Sequence, residues 1–359
     1  MSQRIQAVLL LSLLLSACVS RSAREPHTAD SLTVMTYNVE NLFDTKQDAD
    51  REDYTFLPLA IKNTPQHRLN CSKLGFRQSE CRETDWNESV LNRKLEQLAD
   101  VILSVNGGRG PDVMILDEVE NLNVLNMLNE KLGKAKFATV VLVEGPDVRG
   151  IDVGMMSRFP LVKSAVLHPI NFAPKTEEDK IWMARSRNIL HSTFKLPNND
   201  ILNVFGVHFP SQHNPTYWRE QAIDFLNGLM SKLPKGELAI AGGDFNISSE
   251  EDARFNLFRD RLQQKWLVSH YIGCGQCVGT HNYRGSWSFL DALLFQPSMG
   301  PNGDSKWQVV PKSIHVFKES RFQTSQYMTP ARFDERKPVG VSDHYPMIAE
   351  IVLRQNSVR

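Results

Sequence analysis

The sequence carries no net charge: 41 Lys and Arg balance 41 Asp and Glu over 359 residues. That excludes a protein that holds polyanions mainly through its overall field, although a local basic groove can hide inside a neutral total. Internal repeats and low-complexity linkers are absent, so nothing splits the chain into two. The N-terminal apolar run, Ala7 to Leu15, is too short to cross a bilayer as a stable helix. Cysteine is scarce, with 5 in all. What is present, 41% hydrophobic residues, is the composition of a packed protein rather than a disordered or fibrous one.

Arg4 precedes the apolar run, and Leu15-Ser16-Ala17-Cys18 closes it with small residues and a cysteine. The run has the length of a secretory h-region. A cysteine at the cleavage point resembles a bacterial lipobox, which implies that Cys18 becomes the lipidated first residue of the mature chain. An export signal with an incidental cysteine is the alternative. We read residues 1–17 as a signal peptide, 18–31 as a polar tether and 32–355 as one folded domain. Val19 resembles the sorting pattern of outer-membrane lipoproteins, so an exported, membrane-anchored chain is expected.

With Cys18 used as an anchor, Cys71, Cys81, Cys274 and Cys277 remain. An even number in an exported chain favours disulfides between the sequence-local pairs. Cys274 and Cys277 also have redox-motif spacing, but Gly273, Gly275 and Gly279 make that segment a loop rather than a helix start. A zinc site would need four ligands at a recognisable spacing.

Short β-rich runs alternate with loops and helices. Strands are expected at Leu32 to Asn38, Asp112 to Leu116, Phe137 to Val143, Val153 to Ser157, Ile189 to Phe194, Ile201 to His208, Leu238 to Phe245, Trp287 to Phe295 and Met347 to Leu353. Several are continuous apolar runs, as in strands buried inside layered sheets. One amphipathic helix carries Val90, Leu91, Leu98, Val101, Ile102 and Val105, with Asp85 and Glu88 resembling a capping box. A second runs from about Tyr217 to Leu233. Asp44 to Thr84 reads as a long polar insertion, and a Cys71–Cys81 bridge would order it.

Polar residues stop the apolar strands at Asn38, Asp117-Glu118, His208, Asp244-Phe245-Asn246 and Ser342-Asp343-His344. An Asp or Asn after a strand is usually a turn former, but five such ends in this order are hard to assign to turns. Acidic, amide and imidazole groups at strand ends can converge on one rim of a sheet assembly. Hard oxygen ligands such as Glu118 and the Asn38 amide suit Mg²⁺ or Mn²⁺.

From Leu32 to Leu353 the chain resembles the endonuclease/exonuclease/phosphatase superfamily, through Thr36-Tyr37-Asn38, Asp117-Glu118, Gly243-Asp244-Phe245-Asn246 and Ser342-Asp343-His344-Tyr345-Pro346. The resemblance implies an α/β fold with two mixed β-sheets packed as a sandwich and helices outside. It implies Glu118 as principal metal ligand with Asn38 beside it and Asp343 as a further carboxylate. Asp244 would deprotonate the attacking water, Asn246 would donate to a phosphoryl oxygen, and His344, oriented by Asp291, would contact the scissile phosphate. His208 resembles the pancreatic-type DNases and sphingomyelinases, and Asp152 is its expected partner, giving two imidazole–carboxylate dyads. Arg187 stands where nuclease relatives carry a phosphate-binding arginine, and Asn214 and Arg219 are expected along the groove. Asp117 replaces the usual Gln before the metal glutamate. Neighbours on a strand point to opposite faces, so Asp117 should face away, with Glu120 a fallback ligand.

The expected activity is metal-dependent phosphodiester hydrolysis on DNA or RNA. A phosphatase or sphingomyelinase-like phospholipase of the same fold, and a catalytically inactive binding lipoprotein, are the alternatives. Arg187, Arg219 and Arg284 bordering one groove would favour the nuclease; their scattering would favour the small-substrate phosphatase.

Overall fold

Long apolar runs become the central strands of two stacked sheets. The computed structural model describes residues 30–354; the expected signal peptide, Cys18 and nearly all of the tether lie outside the described residues. The strands begin with β1 (Ser31–Leu42), β2 (Val113–Val119), β3 (Thr139–Leu142), β4 (Asp152–Ser157) and β5 (Val166–His168). They continue with β6 (Ile189–Lys195), β7 (Ile201–His208), β8 (Leu238–Asp244), β9 (Leu267–Val268) and β10 (His281–Tyr283). The last are β11 (Ser286–Ser288), β12 (Asp291–Phe295), β13 (Trp307–Val309), β14 (His315–Val316) and β15 (Met347–Leu353). One sheet has the order β13-β15-β1-β2-β4-β3, with β14 also on β15; the other has the order β5-β6-β7-β8-β12-β9. Both are mixed: β1 pairs parallel with β2, and β7 with β8, while β15 and β12 run antiparallel to β1 and β8.

Between the sheets, Val34, Ile115, Val153 and Met155 meet Val204, Ile240 and Leu293 in one buried cluster. Each such side chain contributes roughly 1.5–3 kcal/mol by leaving water. Gly206 marks the closest approach, since a Cβ there would stand 2.6 Å from Val153 Cγ1. Helix Glu88–Ser104 covers the outer face of the first sheet through Leu91, Leu95, Leu98 and Ile102. Helix Thr216–Met230 covers the second through Ala222, Ile223 and Leu226. The first helix is capped by Asn87, whose side chain accepts from the amides of Ser89 and Val90, and not by Asp85. The Asp85 carboxylate is already taken by the Leu59 amide and Asn87 Nδ2.

The run expected from Trp287 to Phe295 breaks into β11 and β12, because Phe289 and Leu290 turn the chain between the hairpin and the sheet. Strands β5, β9, β10, β13 and β14 escape a periodicity reading, being only two or three residues long. The insertion is ordered. Helices Pro65–Ser72 and Gln78–Glu83 are joined by a Cys71–Cys81 disulfide, and a second disulfide links Cys274 to Cys277. Buried Lys62 fastens the insertion by donating to the carbonyls of Thr55, Cys81 and Thr84 at 2.7, 3.1 and 2.6 Å.

Candidate active site

Parallel pairing sends β1 with β2, and β7 with β8, to the same rim. Antiparallel β12 begins at that rim, where Asp291 stands opposite Asp244, and β15 begins just after His344. The topology therefore gathers Asn38, Glu118, His208, Asp244, Asp291 and His344 at one end of the sandwich. Gly243 allows the bend before Asp244: its φ is +141°, and a Cβ would sit 1.8 Å from the Val207 carbonyl oxygen.

Asn38 Nδ2 lies between two carboxylates, 3.3 Å from Glu118 Oε1 and 3.2 Å from Asp244 Oδ2. Glu118 leaves the β2 ladder at a register shift, with φ +65°, and its Oε2 accepts from the Asn41 amide at 3.0 Å. Asp117 turns inward, as alternation requires, and accepts from the Asp244 amide at 2.8 Å. Glu120 is no fallback ligand: its carboxylate accepts from the Asp44 amide at 2.7 Å, and burial pushes it up to about 9. The left-handed backbone at Glu118 breaks the alternation that would have put both on one face.

Asp244 Oδ1 accepts from the Asn246 amide at 2.7 Å, and Asn246 Nδ2 donates to the Phe209 carbonyl at 3.0 Å. His344 Nδ1 meets Asp291 Oδ2 at 2.7 Å. Burial opposes charge on this ring, but Asp291, Asp343 and Asp244 outweigh it and hold the imidazolium well above its ordinary range. His208 is the opposite case. Burial, then Arg187, Arg149 and His344, push it well below its ordinary value, so it is a neutral ring 3.7 Å from Asp244 Oδ2.

The expected His208–Asp152 dyad does not form. Asp152 Oδ1 is taken by the Gly145 amide at 2.8 Å in the turn between β3 and β4, and His208 Nδ1 is buried without a partner. Arg187 lines the cleft beyond His208 but offers no free guanidinium, and Arg219 lies outside that cleft. Arg187 donates to the carbonyls of His208 and Phe209 at 3.0 and 2.9 Å and to Asp147 at 2.8 Å. Arg219 pairs with Glu251 and donates to the carbonyls of Pro210, Ser211 and Asn214. Both are buried and hold the loop after His208 from within. Asn214 is half-buried on that loop, its Nδ2 directed at the Ser211 carbonyl at 3.3 Å. Arg284 sits apart, at the tip of the β10–β11 hairpin over the Tyr283 ring.

Asp343 lies 3.8 Å from His344 Nε2 and 3.6 Å from Arg332 Nη2. Two residues of this rim carry no strand-end signal in the sequence. His281 on β10 sits tilted against His344, ring centroids 4.8 Å apart, and burial lowers it to about 4. Arg332, from the irregular segment before Ser342, reaches Glu40 at 2.6 Å and leaves its side chain largely exposed.

The donor set fits a hard divalent cation. Glu118, Asp244, Asp291 and Asp343 crowd the rim, and burial pushes the Asp244 carboxyl up to about 7, as expected where negative charge lacks compensation. Glu118 would be the principal ligand, and Asp343, 3.8 Å from His344 Nε2, a further carboxylate. Asn38 presents Nδ2 to the carboxylates while its Oδ1 accepts from the Glu40 amide at 3.0 Å, so its amide must turn to offer oxygen.

A sequence profile described as the Endonuclease/Exonuclease/phosphatase family matches residues 78–353. No curated protein matches the chain significantly. Among solved structures, an endonuclease/exonuclease/phosphatase family protein from Bacteroides thetaiotaomicron is 15% identical, covering 90% of this chain and 98% of that one, with TM-score 0.55. D. rerio TDP2 humanized by 14 mutations is 13% identical, with 90% and 99% covered and TM-score 0.55. A mannosyl-6-phosphatase of Bacteroides thetaiotaomicron is 16% identical, with 90% and 100% covered and TM-score 0.52. These likenesses establish the fold, a two-sheet α/β sandwich.

Proposed function

The chain belongs to the endonuclease/exonuclease/phosphatase family, whose enzymes are phosphoric ester hydrolases that generally use divalent metal ions, and from that premise we propose that it is an exported phosphodiesterase hydrolysing DNA or RNA with Mg²⁺ or Mn²⁺. The observation that carries this reading is the placing of two imidazoles beside Asp244: His344 on Asp291 at 2.7 Å, and His208 Nε2 at 3.7 Å from Asp244 itself. A divalent cation bound at Glu118 would neutralise phosphoryl charge. Asp244, steadied by the Asn246 amide and Asn38 Nδ2, orients the attacking water and takes its proton. Water oxygen bonds to phosphorus, the bond to the leaving oxygen breaks, and the His344 imidazolium supplies that oxygen with a proton. His208, neutral and buried, donates to a phosphoryl oxygen, as does the remaining Asn246 amide hydrogen. Anchoring through Cys18 would place this activity at a membrane surface, in keeping with disulfides at Cys71–Cys81 and Cys274–Cys277.

A second reading, a phosphatase acting on a small phosphorylated substrate, is favoured by one observation: Arg187, Arg219 and Arg284 do not share a groove. The mannosyl-6-phosphatase likeness shows that the fold accommodates such chemistry in that protein. A panel of thymidine dinucleotide, single-stranded RNA, mannose 6-phosphate and sphingomyelin vesicles separates the readings. Diester cleavage in the first two is expected; turnover of mannose 6-phosphate or sphingomyelin with both polymers intact would overturn the proposal.

A further inference from the structure

Next to His208, four chain segments enclose a cavity of about 350 Å³. Lys73 and Arg77 come from the disulfide-held insertion, Arg149 from the turn between β3 and β4, and Trp182 and Arg185 from the end of helix Glu177–Met183 and the segment leading to β6. Ser211, three residues past His208, lines the cavity as well. The link to His208 is direct: Arg187 lines the cavity and donates to the His208 carbonyl at 3.0 Å.

Its charge is the reverse of the rim's. Five basic side chains line it against two carboxylates, Glu52 and Asp147. Asp147 is committed to Arg187 at 2.8 Å and Arg149 at 3.5 Å. Among the described residues, Lys73, Arg77 and Arg185 have no ion pair. Arg77 is half-buried, and burial together with neighbouring Arg149 holds its guanidinium below its ordinary basicity. Lys73 and Arg185 are exposed, and an anion bound among the three would offset the repulsion that Arg77 feels in its half-buried position. Arg185 lies over the Trp182 indole, 5.6 Å from ring centroid to guanidinium carbon, and that indole is 50% exposed. A half-exposed indole beside guanidinium groups is a stacking platform for a flat ring.

We propose that this cavity binds the nucleotide adjoining the scissile phosphate, with Lys73, Arg77 and Arg185 taking its phosphate and Trp182 its base. The proposal rests on the phosphodiesterase reading and names what that reading leaves open, where the substrate chain runs. Lys73 and Arg77 come from the insertion and precede residue 78, where the family match begins, whereas Arg149, Trp182 and Arg185 lie within the matched residues, so the insertion completes a subsite that the shared fold only begins. It also explains why Arg187, Arg219 and Arg284 share no groove: Arg187 lines this cavity with its guanidinium already committed to carbonyls and Asp147, and the free phosphate-binding charge comes from Lys73, Arg77 and Arg185.

The test compares dTpdT with pdTpdT and dTpdTp, which add a second phosphate on one side or the other. One of the two should lower KM about tenfold relative to dTpdT, the effect of one or two charge-assisted hydrogen bonds. Arg77→Ala/Arg185→Ala should erase that advantage. Equal KM for all three in the unmodified chain, or an advantage that survives the double substitution, would overturn the proposal. A binding measurement keeps the two readings apart. In Glu118→Ala with EDTA, calorimetry should find pdTp bound about tenfold more tightly than thymidine monophosphate, and adding the double substitution should equalise them. A pdTp preference without hydrolysis of any diester would leave the subsite standing and sink the phosphodiesterase reading. Hydrolysis without a preference would do the reverse.

Discussion

The catalytic rim and the cavity beside it differ in charge and in origin. The rim concentrates carboxylates at the ends of long paired strands, where main-chain hydrogen bonds fix each side chain. The cavity concentrates guanidinium groups on an insertion, a turn and an inter-element segment that share no ladder. A neutral chain can thus carry two strongly charged sites of opposite sign, side by side. Net charge limits the long-range field but says nothing of this division. The acid-rich site suits a cation and the chemistry; the base-rich site suits the rest of a polyanionic substrate.

Breaking the rim should have the largest effect. Glu118→Ala or Asp244→Asn should lower kcat on dTpdT roughly 10³-fold, the scale of losing a group that acts in the transition state. His344→Ala should cost on the order of 10²-fold on dTpdT but far less on bis(p-nitrophenyl) phosphate, whose leaving oxygen needs no proton. An equal loss on both would assign His344 to phosphate binding alone. Opening the Cys71–Cys81 bridge by Cys71→Ser/Cys81→Ser should remove about 2–3 kcal/mol of local stability. Limited proteolysis inside the insertion reports this, and the two-phosphate preference should fall while bis(p-nitrophenyl) phosphate turnover persists. Asp152→Asn should change kcat less than about threefold, as expected for a residue that bonds a turn amide and not His208. A loss of about 10²-fold in this variant, the scale expected for a partner of an acid–base imidazole, would restore the dyad.

The same contrast explains what could be read from the amino-acid order. Asn38, Glu118, His208, Asp244, Asp291 and His344 each end or begin a run of apolar residues, so periodicity that reveals the strand also reveals the residue that stops it. Asp117 facing inward follows from alternation alone. Glu120 fails the same rule because one left-handed residue, Glu118 with φ +65°, intervenes, and no composition signal announces it. Asp152 is the expected partner of His208, yet the Gly145 amide competes for it, and turn amides are invisible to pattern reading. Arg187 and Arg219 are misleading for a related reason: buried arginines that satisfy backbone carbonyls look in sequence like phosphate binders. Lys73, Arg77, Arg185 and Trp182 lie in segments without period, and only the folded insertion brings them to one cavity.

The central claim is that the acid-rich rim is a cation-dependent phosphodiesterase centre organised on Glu118. Supercoiled plasmid incubated with the mature chain and Mg²⁺ or Mn²⁺ tests it most directly, beside the same mixture with EDTA and beside Glu118→Ala. The account predicts nicking in the first mixture alone. Nicking that survives EDTA or Glu118→Ala, or plasmid left intact by a chain that hydrolyses mannose 6-phosphate, would contradict it.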